Sequence, residues 1–154
     1  MTEPSAQTKI RVPRSAYEKV GGIVFFGRML DKIRLNASGE LGPGYFLGDD
    51  TDPTWFDGRC TRFLGVSYKA LTERVLIGGT DDDLLAWCFS RGHKPDEEQI
   101  LVWNAFMSKR GWRDAVSAEL AEEVKRYGHG DRADIRTFFD LQDADEGRPP
   151  HFAD

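Results

Sequence analysis

The sequence predicts an all-α fold, a single-domain array of about six helices with one irregular Gly/Asp/Pro-rich loop over residues 39–53. Two observations carry that expectation. Segment after segment opens on a residue that can cap a helix and closes on glycine, and between those marks apolar residues return at three- and four-residue spacing. A chain of 154 residues can also bury about 68–70% of its unfolded surface, so it needs neither disulfides nor metals to hold a core.

Residues 1–10 form a polar arm that is expected to fray. Val12-Pro13-Arg14-Ser15 should be extended, since the residue before a proline avoids the helical region. The first helix is expected after Gly21-Gly22, from Ile23 to about Ala37, stopping at Ser38-Gly39, where glycine supplies a left-handed cap. The loop that follows has Tyr45-Phe46-Leu47 as its only apolar anchor. Trp55-Phe56-Asp57 to Phe63-Leu64 reads as a short helix ended by Gly65, and Ser67 caps another from about Tyr68 to Ile77. Thr80-Asp81-Asp82-Asp83 is a strong helix start, because a threonine cap followed by carboxylates complements the orphan N–H groups and the positive end of the macrodipole. That helix should run to Gly92, and Pro95-Asp96-Glu97-Glu98 opens the next, through Trp103 and Met107 to Gly111. Asp114 is expected to start a helix with Val116, Leu120, Val124 and Tyr127 on one stripe, ended by Gly128. Asp134 to Leu141 can dock as a last helix or turn, and residues 149–154, from Pro149-Pro150 on, are expected to be a flexible tail.

Composition narrows the function classes. Lys+Arg 21 against Asp+Glu 26 gives a net charge of -5, which offers little attraction to nucleic acid or an anionic membrane. No apolar stretch approaches the roughly 20 residues that span a bilayer, and the N-terminus has no basic segment leading into an apolar run, so a soluble, cytoplasmic protein is expected. Cys60 and Cys88 stand alone, without metal-ligand spacing, and read as reduced thiols. No cofactor is implied: the glycines of residues 39–48 do not form a phosphate loop, and Asp49-Asp50-Thr51-Asp52 and Asp143-Ala144-Asp145-Glu146 lack calcium-loop spacing and read as solvated acidic loops. His93, His129 and His151 are scattered, without a second ligand at helical spacing.

The candidate site is the stretch Gly27 to Arg34. On a helix, Ile23, Phe26, Leu30, Ile33 and Ala37 form an apolar stripe, while Arg28, Asp31 and Lys32 lie opposite, framed by Val24 and Leu35. Charges framed by apolar surface are costly unless they pair with one another or await a ligand. A second constellation is Trp103-Asn104, in a helix with apolar residues in nearly every direction. It is expected to be central, with the Asn104 amide bracing a loop or touching a ligand.

Arg14-Ser15, the string Gly27-Arg28-Met29-Leu30-Asp31-Lys32-Ile33-Arg34, Trp103-Asn104, and the ending Thr137 to Arg148 resemble the bacterial domain-of-unknown-function family numbered 5069 over nearly the whole chain. The resemblance implies no mechanism, since the family carries no established activity. Its members typically follow the helix with a Gly-Glu-Tyr turn; here Leu41-Gly42-Pro43-Gly44 separates Gly39-Glu40 from Tyr45.

Three functions fit these residues. The leading one is a noncatalytic protein binding a small anionic ligand or a protein partner through Arg28, Asp31, Lys32 and Arg34. The second is an enzyme with Asp31 as base beside Lys32, and Tyr45 or Asn104 orienting substrate. The third is a helical interaction module using Trp55, Phe56, Trp112 and Phe152. Oligomeric state is not set by the sequence.

Overall fold

A computed structural model describes residues 11–52 and 54–152; the expected N-terminal arm, residues 1–10, lies outside them. Among the described residues there are seven helices, α1 (Phe26–Ala37), α2 (Phe56–Leu64), α3 (Tyr68–Ile77), α4 (Asp81–Arg91), α5 (Glu97–Lys109), α6 (Ser117–Arg126) and α7 (Phe138–Asp145). A two-stranded antiparallel ribbon precedes them, β1 (Lys19–Val20) and β2 (Ile23–Val24). The fold is therefore mostly helical. No helix among the described residues is long and apolar enough to cross a membrane.

The ribbon shortens the expected first helix, which starts at Phe26 instead of Ile23. Gly21 and Gly22 adopt φ 57 and 81, the pair of left-handed residues that a two-residue hairpin turn requires, so they reverse the chain between Val20 and Ile23. Phe25 then takes φ 74, rare for a bulky residue, with its N–H donating to Ala16 O at 2.9 Å and its ring 1% exposed.

The chain gathers into two compact units that are discontinuous in sequence. The first holds residues 11–14 and 28–94, and the second holds Ser15–Gly27 and residues 95–152. In the first, Met29, Leu30, Leu64, Leu71 and Leu84 are fully buried. The helix starts are the ones the caps announce. Ser67 Oγ accepts from Ala70 N, and Thr80 and Asp96 each form a reciprocal capping box, with Asp83 and Gln99. Gly65 closes α2 in the left-handed conformation.

The acidic run at the end of the 39–53 loop lies at the surface, as expected, and its carboxylates also build turns. Asp49 Oδ1 accepts from Thr51 N and Asp52 N, and Asp50 reaches the start of α3 to accept from Tyr68 N and Lys69 N.

In the second unit, Leu120, Val124, Ile135 and Leu141 form one buried cluster, with Phe138 and Ala144 against it. The helix expected from Asp114 starts at Ser117, because Asp114 first closes a turn, accepting from Gly111 N at 2.8 Å and Val116 N at 3.0 Å. The second acidic run also differs from the expected solvated loop: α7 carries it, Asp143 is 4% exposed and ion-paired to Arg148, and Asp145 meets His129 Nε2 at 2.8 Å. In the expected tail, His151 lies parallel on the Tyr17 ring, centroids 4.0 Å apart.

Candidate functional site

The charges of α1 all lie in the first unit, and their partners come from segments far away in sequence. Arg14 is the hub. Its Nε and one terminal nitrogen clasp both oxygens of Asp31 at 2.9 and 2.8 Å, its backbone N–H adds a third bond to Asp31, and its other terminal nitrogen reaches Asp81 at 2.7 Å. Arg34 donates to the second oxygen of Asp81 at 2.7 Å and lies 3.8 Å from Asp31. Two guanidinium groups and two carboxylates thus form a closed network between the 11–14 arm, α1 and the first turn of α4. Burial pushes the Asp81 carboxyl up, but the hydrogen bonds from Arg14 and Arg34 outweigh it and hold the group below the ordinary aspartate value. The same bonds, from Asp31 first, raise Arg14 further above the ordinary arginine value against its own desolvation.

Lys32 and Arg28 are deeper. Lys32 is 7% exposed, and its ammonium donates to Asp57 Oδ1 at 2.7 Å and to the carbonyl of Phe46 at 2.8 Å. This ties the 39–53 loop down by its backbone. Of the expected anchor Tyr45-Phe46-Leu47, Tyr45 and Leu47 are half-buried, whereas the Phe46 ring is 63% exposed and rests on Trp55, and only its carbonyl is held inside. Asp57 is 3% exposed, and its Oδ2 is buried with no hydrogen-bond donor. Gly48 packs where a Cβ would lie 2.6 Å from Asp57 Cβ and 2.7 Å from the Tyr68 ring, which closes the loop over the ion pair. Arg28 is 4% exposed, donates to the Arg14 carbonyl at 3.1 Å, and lies 5.9 Å from the centre of the Tyr45 ring. Tyr45 thus joins the α1 cluster despite the longer turn before it.

Asn104 is in the second unit. Its Oδ1 accepts from Val24 N at 3.0 Å, its Nδ2 donates to Gly22 O at 2.8 Å, and the Trp103 indole N–H donates to Val24 O at 3.2 Å. The Trp103-Asn104 pair therefore satisfies the outer edge of β2, which would otherwise leave backbone groups unmatched. α5 is not central, however. Trp103 and Met107 face inward, while Leu101, Val102 and Phe106 are 63%, 59% and 39% exposed. Apolar residues all round a helix gave the expectation of burial; in the fold only one side is covered.

The residues that carry the resemblance at the C-terminus also meet. Tyr17 OH donates to Asp140 Oδ1 at 2.6 Å and shares a 3.1 Å hydrogen bond with Thr137 Oγ1, which caps α7. Burial, reinforced by Asp140, pushes the Tyr17 hydroxyl above the ordinary tyrosine value. Arg148 pairs with Glu146 and Asp143 on the same side of α7. The family described as Domain of unknown function (DUF5069) matches residues 10–148. The chain belongs to this family. No curated protein matches the DUF5069 chain. Each of its motifs meets another segment: Arg14 clasps α1, Lys32 of α1 holds the 39–53 loop, Asn104 bonds the outer edge of β2, and Thr137 meets Tyr17.

Of the aromatic residues expected to form an interaction surface, Trp55 and Phe56 fall in the first unit and Trp112 and Phe152 in the second. Trp112, 46% exposed, lies under the Arg113 guanidinium, and Phe152 stands edge-on to Tyr17 and His151.

Proposed function

We propose that this protein is a noncatalytic binding module that engages an amphipathic helix of a protein partner through the outer face of α5. The observation that supports it is the exposed stripe Leu101, Val102, Ala105 and Phe106 over two adjacent turns of a helix capped by Asp96, with the Arg110 guanidinium 5.2 Å from the centre of the Phe106 ring at its edge. Glu98 bounds the stripe at one end and Lys109 at the other, so the partner helix should carry apolar residues in its middle and opposite charges at matching ends.

The reading of α1 as a ligand-facing surface has less behind it. Arg28 and Lys32 are nearly buried and bond to the carbonyls of Arg14 and Phe46, with Lys32 also on Asp57. Use of Asp31 as a base is disfavoured on geometry, since both of its oxygens accept from Arg14.

The test is site-specific photo-cross-linking in the cell that produces the protein. A photoreactive side chain at Val102 should give protein adducts that vanish with Phe106→Asp, while the same group at exposed Glu122 on α6 should give none. Equal labelling from both positions, or none from either, refutes the reading.

A further inference from the structure

We infer that the helix facing α5 is α5 of a second copy, antiparallel to the first about a twofold axis that passes between the levels of Trp103 and Asn104; this rests on the proposed α5 binding face. The argument is the self-complementarity of the exposed face. Glu98, Val102, Ala105 and Lys109 run along its centre line, with Leu101 and Phe106 on its two flanks, and all six side chains are exposed. Turned end for end against itself, the stripe sets Val102 against Ala105 of the second copy along the centre line, a large residue meeting a small one where the backbones must approach, while Leu101 meets its own counterpart on one flank and Phe106 its own on the other.

The charges select the same arrangement. Glu98 and Lys109 are eleven residues apart, about 16 Å along the helix, so an antiparallel copy brings each Glu98 to the other's Lys109 and closes two ion pairs. A parallel copy would set Glu98 against Glu98 and Lys109 against Lys109. Antiparallel pairing also aligns the helix dipoles favourably. A surface that served an unrelated partner has no need to match itself in the charges at its ends and in the Val102–Ala105 pair at its centre. One helix face is at the small end of stable interfaces, below about 1,200 Å² in total. Association is therefore expected to be reversible, with a dissociation constant on the order of micromolar to tens of micromolar.

Sedimentation equilibrium on the full chain, from low micromolar to about 1 mM, tests this. The parent should pass from monomer to dimer within that range, and Phe106→Asp should remain monomeric with an unchanged circular dichroism spectrum. Glu98→Lys and Lys109→Glu should each weaken the dimer about tenfold, since each replaces two attractive pairs by two repulsive ones. An equimolar mixture of the two single variants should associate as well as the parent, because in the antiparallel register every introduced charge then meets its opposite. A parent that stays monomeric throughout, a dimer indifferent to Phe106→Asp, or a mixture no better than the separate variants overturns the inference. If the parent is monomeric while the Val102 cross-links to another protein persist, the twofold dimer falls and the binding face stands; if both fail, the binding face falls too.

Discussion

Replacing Lys32 by methionine removes the ammonium and keeps most of the apolar stem. In the fold this strands Asp57, 3% exposed, whose Oδ1 loses its 2.7 Å partner and whose Oδ2 has no donor to begin with. Breaking a buried ion pair from one side costs about 3–5 kcal/mol, because the remaining charge is left uncompensated. The Phe46 carbonyl loses its 2.8 Å bond in the same step. At about 3 °C per kcal/mol for a chain of this size, Lys32→Met should lower Tm by about 10–15 °C. The second half of the experiment is the double variant Lys32→Met with Asp57→Leu. Exchanging both charges for apolar groups removes the desolvation penalty as well as the attraction, so the double variant should recover most of the loss. Calorimetric or circular-dichroism melting of the four proteins of this cycle gives the coupling directly. If Lys32→Met alone costs under about 1 kcal/mol, or if the two losses simply add, the pair is not the internal fastener its geometry describes.

Acid should weaken the Arg14 network. The folded Asp81 carboxyl titrates below the unfolded one, so its contribution is complete above the unfolded value of about 4 and is lost as pH falls through the lower folded value. Asp81→Asn should therefore show a shallower fall in urea stability below about pH 4 than the parent. Gly92→Ala should destabilise the protein by about 2–3 kcal/mol in urea titration although the residue has an ordinary φ of -116, because the new Cβ would meet the Leu64 carbonyl and lie 2.7 Å from the Gly65 carbonyl oxygen. Both thiols should resist alkylation in the native state: burial pushes Cys88 up to about 12, while burial, then Asp57 and Cys88, hold Cys60 well above its ordinary value. Labelling at mildly alkaline pH should appear only with unfolding, and rapid native labelling of either cysteine would contradict their burial.

What the sequence discloses depends on the distance over which each interaction acts. The starts of α3, α4 and α5 were legible because Ser67, Thr80 and Asp96 act on N–H groups three residues away. The ribbon was not, since two-residue strands leave no alternation to detect and Gly21-Gly22 serves equally as a helix boundary or a hairpin turn. Asp114 misled in a similar way, because its side chain closes a turn with the same chemistry that begins a helix. The four charges of α1 announced that they needed partners, but Arg14, Asp57 and Asp81 are named by the fold alone. The outward side of α5 was hidden for the opposite reason: with apolar residues in every direction, periodicity does not say which side is exposed.

The Arg14 clasp has a kinetic consequence. Its bonds to Asp31 and Asp81 join residues 17 and 67 positions apart, so the larger loop must close before the network is complete. Contacts that wait on so large a loop are expected to form on the native side of the folding barrier. Loosening them shortens the lifetime of the folded state while the chain reaches it at nearly its usual speed. Opening the clasp with Arg14→Ala should therefore raise the unfolding rate more than it lowers the folding rate, as measured by stopped-flow denaturant jumps.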